Sequence, residues 1–214
     1  MSRLRVVAVD GPAAAGKGTL ARRLAAHLGI PYLDTGLLYR AVGMAVVAGG
    51  ADPGDAAAAI AAARALDESA LAREDLRSPA ADMAASRVAT IPDVRAALVG
   101  FQRAFAAGGR GAVLDGRDIG TRIFPDAPVK LFVTAAPAVR AERRWKELRA
   151  RGVEIELAAV RDEIDRRDRQ DATRAAAPLQ QAADAVVIDT TALTPDQAFD
   201  AALAVVQRLL PPAG

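Results

Sequence analysis

The chain reads as an α/β protein built on a parallel sheet, and three observations predict that class. Five short apolar runs, at 4–9, 30–34, 111–116, 129–135 and 185–191, alternate with longer segments of helical spacing. Runs such as "LRVVAV" are continuously apolar rather than alternating, as expected of strands covered on both faces. A Gly-rich turn joins the first run to the first helix.

The elements follow in order. "LRVVAV" (4–9) is the first strand, and "TLARRLAAHLG" is a helix with Leu20, Leu24 and Leu28 on one face, stopped by Gly29. "IPYLDTG" is a second short strand with its turn, and "LLYRAVGMAVVAGG" a helix ended by paired glycines. Residues 52–108 are Ala-rich and helical in pattern, with breaks near Pro53, Pro79 and Pro92. "GAVLDG" (111–116) and "VKLFVTA" (129–135) are strands, and "AVRAERRWKELRARG" (138–152) is a helix with a Gly stop. "VEIELAAVRDEIDRRDRQ" (153–170) is a further helix and "AVVIDTT" (185–191) the last strand. The last helix opens with Thr194, Pro195 and Gln197 at the N-cap, first and third positions, a capping-box signature.

Composition narrows the function. At 214 residues with 52 % hydrophobic and 25 % charged residues, the chain suits one globular domain. A net charge of +2 from 28 basic and 26 acidic residues, with 4 % aromatics, argues against a nucleic-acid or membrane surface. With no cysteine and only His27 as histidine, thiol chemistry and multi-histidine metal sites are excluded. The first strand is too short for a signal peptide and no run reaches the length of a membrane span, so a cytoplasmic location is expected. Lys17, Lys130 and Lys146 are the only lysines in an otherwise Arg-based set. Against that bias, a lysine inside a Gly-rich loop marks a place where a compact ammonium is required.

That loop is "DGPAAAGKGT" (10–19), with Gly11, Gly16 and Lys17 in G-x-x-x-x-G-K spacing. Its glycines let backbone N–H groups converge on phosphate oxygens, and Lys17 reaches the outer phosphates. Gly11, Pro12, Ala13, Ala14, Ala15, Gly16, Lys17, Gly18 and Thr19 are therefore the expected ATP-binding residues. The hydroxyl that usually follows the lysine is replaced by Gly18. No direct protein ligand to a metal is expected; the ion would rest on phosphates and water, with an acidic residue nearby.

Two more polar segments follow strands: "DTGLLYR" (34–40) and "DGRDIG" (115–120). In open α/β sheets ligands gather beyond the C-terminal strand ends. An alcohol acceptor calls for a carboxylate base. A phosphate monoester is already a dianionic nucleophile near neutrality and calls instead for a positive clamp. Arg40, Arg95 and Arg117 are candidates for it, since Arg offers a bidentate fork.

Together "DGPAAAGKGT", "DTGLLYR", "DGRDIGTRIFPDAPVK" and "RDRQDATRAAAPL" resemble, in order and spacing, the bacterial cytidylate kinase family over nearly the whole chain. The resemblance implies a P-loop NTPase-like three-layer fold with a five-stranded parallel sheet. It further implies one kinase domain over 1–214, with a monophosphate-binding region at 34–108 and a helical lid at 142–170. The family's strand-rich insert is shortened here to "DESALAREDLRSPAAD" (67–82). The implied reaction is transfer of the ATP γ-phosphate to CMP or dCMP, with Mg²⁺, in pyrimidine nucleotide metabolism. The partners are then small molecules, and a monomer is expected.

By the same resemblance, Arg40 and Arg117 match ligands of the CMP phosphate, and Thr35 joins them as a substrate contact. Ser86, Arg95 and Asp118 match cytosine ligands. A carboxylate accepts from the cytosine amino group and would face a uracil carbonyl unpaired. Lys17, Arg117, Arg140, Arg144 and Arg174 match the cations around the transferring phosphoryl, and Asp115 lies where the family has an acidic residue near the metal, able to hold it through water. As residues alone, Arg140 and Arg144 also read as one face of a solvated helix. The alternatives are a kinase for UMP or another monophosphate and, of another class, a non-catalytic nucleotide-binding protein.

The segment "RDEIDRRDRQDATR" (161–174) divides in two. Arg161/Asp165, Asp162/Arg166 and Glu163/Arg167 are i, i+4 pairs of a solvated helix. Arg167, Asp171 and Arg174 share one face further on, and the resemblance makes Arg167 and Asp171 substrate ligands. Asp168 stays open between the two readings.

Overall fold

In the computed structural model, which describes residues 5–108, 111–173 and 177–210, two compact units are distinguished, one of 1–33 with 109–214 and one of 34–108.

The first unit holds β1 (Val6–Asp10), α1 (Lys17–Leu28), most of β2 (Tyr32–Asp34), β3 (Ala112–Gly116), a π turn (Ile119–Ile123), β4 (Val129–Thr134), α6 (Pro137–Ala150), α7 (Leu157–Thr173), β5 (Val186–Asp189) and α8 (Pro195–Leu209). The strands form one sheet in the order β2-β3-β1-β4-β5, and the sheet is parallel. β1 and β3 are buried throughout, as their unbroken apolar runs predict. β5 lies at the edge, and Val187 is correspondingly exposed. Val7, Val9, Val113, Leu131 and Val133 pack against Leu20 and Leu24 of α1 and Ala202 and Val206 of α8.

One helix start differs from the sequence reading. The helix expected from 153 begins at Leu157, because Val153 and Ile155 instead plug a small core made by Ala141, Leu148, Val160 and Ile164. Trp145 also donates its indole N–H to the Ile155 carbonyl at 2.9 Å. The predicted capping box of α8 is present, with Thr194 Oγ1 accepting from Gln197 N and Gln197 Oε1 from Thr194 N.

The second unit holds α2 (Thr35–Ala48), α3 (Ala56–Arg64), two 3₁₀ turns (Glu68–Ala72 and Glu74–Arg77), α4 (Pro79–Val88) and α5 (Pro92–Ala107). Pro79 and Pro92 stand at the first turns of α4 and α5, where a missing N–H costs nothing. Among the described residues, 67–82 forms turns and the start of α4, with no strand. α2 and α4 touch closely at Gly43, where a Cβ would lie 2.7 Å from that of Ala84.

Candidate active site

The loop between β1 and α1 owes its shape to three residues. Gly11 has φ +146° and passes so close to β4 that a Cβ there would sit 1.9 Å from the Val133 carbonyl oxygen. Ala14 (φ 58°) and Gly16 (φ 90°) are left-handed, which turns successive amides toward one side as an anion cradle requires. Lys17, 6 % exposed, donates Nζ to the Pro12 carbonyl at 2.8 Å. Behind the loop, the buried Thr190 hydroxyl contacts the carbonyls of Ala15 (3.0 Å) and Thr134 (3.1 Å). Arg143 holds Thr190 in turn, through Oγ1 and the carbonyl oxygen.

The second segment follows β3, which pairs with β1 so that Asp115 lies opposite Val9 and Gly116 opposite Asp10. Asp115 is buried and accepts from the Tyr32 hydroxyl at 2.9 Å. Its Oδ2 lies 3.6 Å from the place a Cβ on Gly18 would take, so a carboxylate faces the position after the loop lysine. Arg117 donates Nε to Asp171 of α7 at 2.7 Å and Nη1 to the Gly116 carbonyl at 3.3 Å. Asp118 is buried at the head of the π turn, a form frequent at functional sites.

Asp10, buried at the end of β1, accepts from the N–H groups of Ile119 (2.9 Å) and Gly120 (2.7 Å). Burial pushes its carboxyl up to about 6, against the two amides, which favour the carboxylate; Asp118 nearby raises it further and Lys17 lowers it.

On α6 and α7, Arg140 is 3 % exposed and makes four hydrogen bonds: Nε to the Ala135 carbonyl, Nη1 to the Ala13 carbonyl, and both terminal nitrogens to Asp168. Arg144 pairs with Glu147 at 3.1 Å. Arg167 pairs with Glu163 at 3.5 Å, one of the three expected i, i+4 pairs. α7 runs to Thr173, so Arg167 and Asp171 share a helix; Arg174 lies outside the described residues.

In the second unit, Thr35 is buried at the first position of α2, whose N-cap Asp34 accepts from Gly36 N at 3.0 Å. Arg40 forms an ion pair with Asp82 of α4 at 2.7 Å. Ser86, one turn on, donates to the Asp82 carbonyl at 3.0 Å. Arg95 is buried, with its guanidinium 5.3 Å from the Tyr39 ring centroid. Arg40, Ser86 and Arg95 thus belong to three helices of one unit.

A family model described as cytidylate kinase matches residues 7–208. The chain belongs to the cytidylate kinase family. The cytidylate kinase of Granulibacter bethesdensis is 59 % identical over 206 residues, covering 96 % of this chain and 98 % of that one. That of Paramagnetospirillum magneticum is also 59 % identical, covering 94 % and 97 %. Among solved structures, an uncharacterized protein from Eubacterium ventriosum aligns over 96 % of this chain and 99 % of its own, at 14 % identity and a TM-score of 0.56, a likeness of fold.

For a member of the cytidylate kinase family, the sequence motifs pointed to the candidate segments but not to what holds them. Asp10, Asp168, Asp82 and Thr190 each support a candidate residue or the loop backbone. Asp10 carried a signal, a carboxylate ending an otherwise apolar strand. In the sequence Asp168 stayed open between a solvated face and a substrate edge and nothing singled out Asp82, since their partners lie on other helices.

Proposed function

We infer that the protein transfers the γ-phosphate of ATP to CMP and dCMP, releasing CDP and dCDP. The observation that carries this reading is the pairing of β1 with β3, which sets the P-loop and the Asp115–Asp118 segment at the ends of neighbouring strands. A triphosphate cradle and an Arg-bearing turn then leave the carboxyl ends of two adjacent inner strands side by side, where α/β sheets bind ligands. Family membership supports the same reading.

In this mechanism the loop amides of 11–19 and Lys17 hold the ATP phosphates. The acceptor phosphate, already a dianion, needs no base; it needs cations that offset repulsion and fix an in-line approach. Arg40 and Arg117 supply that clamp, with Thr35, Arg167 and Asp171 as further substrate contacts. Asp171 grips Arg117 at Nε and so sets the plane of its guanidinium. Ser86, Arg95 and Asp118 read the base. Arg140, Arg144 and Arg174 complete the positive surround of the transferring phosphoryl, with Arg140 acting from the joint it makes between Ala13 and Asp168. The residues present suit Mg²⁺ held largely by phosphate and water: Gly18 offers no hydroxyl, while the buried Asp115 carboxylate supplies a hard oxygen beside the loop. When bound, such an ion would supply positive charge to offset that on the phosphate oxygens.

In domain terms, 34–108 serves as the monophosphate-binding region and 142–170 as a lid that excludes water. The enzyme is read as a cytoplasmic monomer, in keeping with a net charge of +2 and with no helix among the described residues long and apolar enough to cross a membrane.

The test is direct. Incubation with Mg-ATP and, separately, CMP, dCMP, UMP or AMP should release ADP fastest with the two cytidine nucleotides. Equal rates across all four, or none with CMP, would sink the reading. Gel filtration at micromolar concentration checks the monomer.

A further inference from the structure

The π turn Ile119–Ile123 begins with N–H groups that have no partner inside the turn, as at every helical start. A side chain at the preceding position ordinarily accepts from the second or third of them, here Gly120 or Thr121, and Asp is among the best residues for it. Asp118 stands at that position, yet makes no cap bond to its own turn. The acceptor comes from another strand. Asp10, 108 residues earlier in the chain, takes Ile119 N on Oδ1 and Gly120 N on Oδ2. Its own neighbour Gly11 opens the phosphate loop.

We propose that Asp10 is a positioning residue for base selection: by capping the turn from β1, it keeps the Asp118 carboxylate from folding back onto that turn and holds it for the acceptor's exocyclic amino group. The inference rests on the reading of Asp118 as the cytosine contact. Without Asp10, the Gly120 N–H is left for the side chain at the N-cap position, the carboxylate of Asp118, to accept. A capped Asp118 no longer faces the base, and cytosine loses its advantage over uracil. The packing leaves little slack for another arrangement. A Cβ on Gly120 would lie 3.3 Å from Asp10 Oδ2 and 3.2 Å from the Lys130 stem.

Asp10→Asn tests this, because it keeps the shape and volume but offers a single acceptor oxygen to two donors. Steady-state kinetics with CMP and UMP as acceptors, and with ATP varied at saturating CMP, are measured for the parent, Asp10→Asn, Asp118→Ala and the double variant. The expected result is a loss of about tenfold in the CMP-over-UMP ratio of kcat/KM for Asp10→Asn, with the KM for ATP within about twofold of the parent. In the Asp118→Ala background, Asp10→Asn should lower the ratio no further. A variant that weakens ATP and CMP alike, or that leaves the CMP-over-UMP ratio intact, overturns the proposal. Should Asp10→Asn fail to fold, Gly120→Ala presses on the same cap; an unchanged ratio in that variant overturns it equally. A parent enzyme that does not prefer CMP would instead refute the underlying function, before any variant is compared.

Discussion

Arg140 and Asp168 are joined by two hydrogen bonds, Nη1 to Oδ1 at 3.0 Å and Nη2 to Oδ2 at 2.5 Å, tying α6 to α7. The same guanidinium reaches the Ala13 carbonyl of the phosphate loop. Asp168→Asn would leave a charge of 3 % side-chain exposure without its counter-ion. Because Asp168 is itself 29 % exposed, the cost is expected near the low end for such pairs, about 2–3 kcal/mol. Urea denaturation measures it, and a shift within about 0.5 kcal/mol would show that water screens the pair.

Gly11 admits no side chain. Gly11→Ala drives a methyl to 1.9 Å from the Val133 carbonyl and demands φ +146° of an alanine. We expect a loss above about 3 kcal/mol or failure to fold, read by thermal melting. Gly16→Ala, at φ 90° but with open space around it, should cost far less.

Thr190 supports the loop from behind. Thr190→Val removes a hydroxyl shared by Ala15, Thr134 and Arg143, for about 1–3 kcal/mol of stability. The KM for ATP should rise several-fold while that for CMP stays near the parent's. Equal change in both would mean that the contact serves stability alone.

Asp10 also predicts a pH dependence. With a folded value of about 6 against 3.8, the native chain keeps a proton that the unfolded chain has released. The stability linked to this group is therefore present below pH about 4 and lost as pH rises through about 6, on the order of 3 kcal/mol. Asp184 and Asp189 have lowered values, so their contributions fade only at more acid pH, in the opposite sense. Comparing parent and Asp10→Asn by urea denaturation at pH 4.5 and 7 isolates the effect: the parent should lose ground to the variant as pH rises.

The charged segment 161–174 should split in function. Asp162 is exposed on α7, and Asp162→Lys is expected to leave turnover within about twofold, since surface pairs contribute only tenths of a kcal/mol. Arg174→Ala should lower kcat by one to two orders of magnitude, on the scale of a lost phosphoryl-stabilising cation. Similar effects from both would remove the division.

The local chain was enough to fix a good deal. The apolar runs at 4–9 and 111–116 specified buried strands because burial on both faces leaves no room for alternation. The spacing of Gly11, Gly16 and Lys17 specified a phosphate loop because left-handed backbone and a compact cation are local requirements. Thr194 and Gln197 specified a helix start through bonds that span three residues. Tertiary structure alone decided the partners. Asp10 with the amides of 119 and 120, Arg140 with Asp168 and Arg117 with Asp171 join positions 28 to 110 residues apart. Such pairs leave no periodicity in a sequence, because their spacing is set by sheet order and helix packing rather than by the repeat of any one element. For the same reason the family resemblance of the sequence marked Asp118 as a candidate but gave no sign that its turn is capped from another strand.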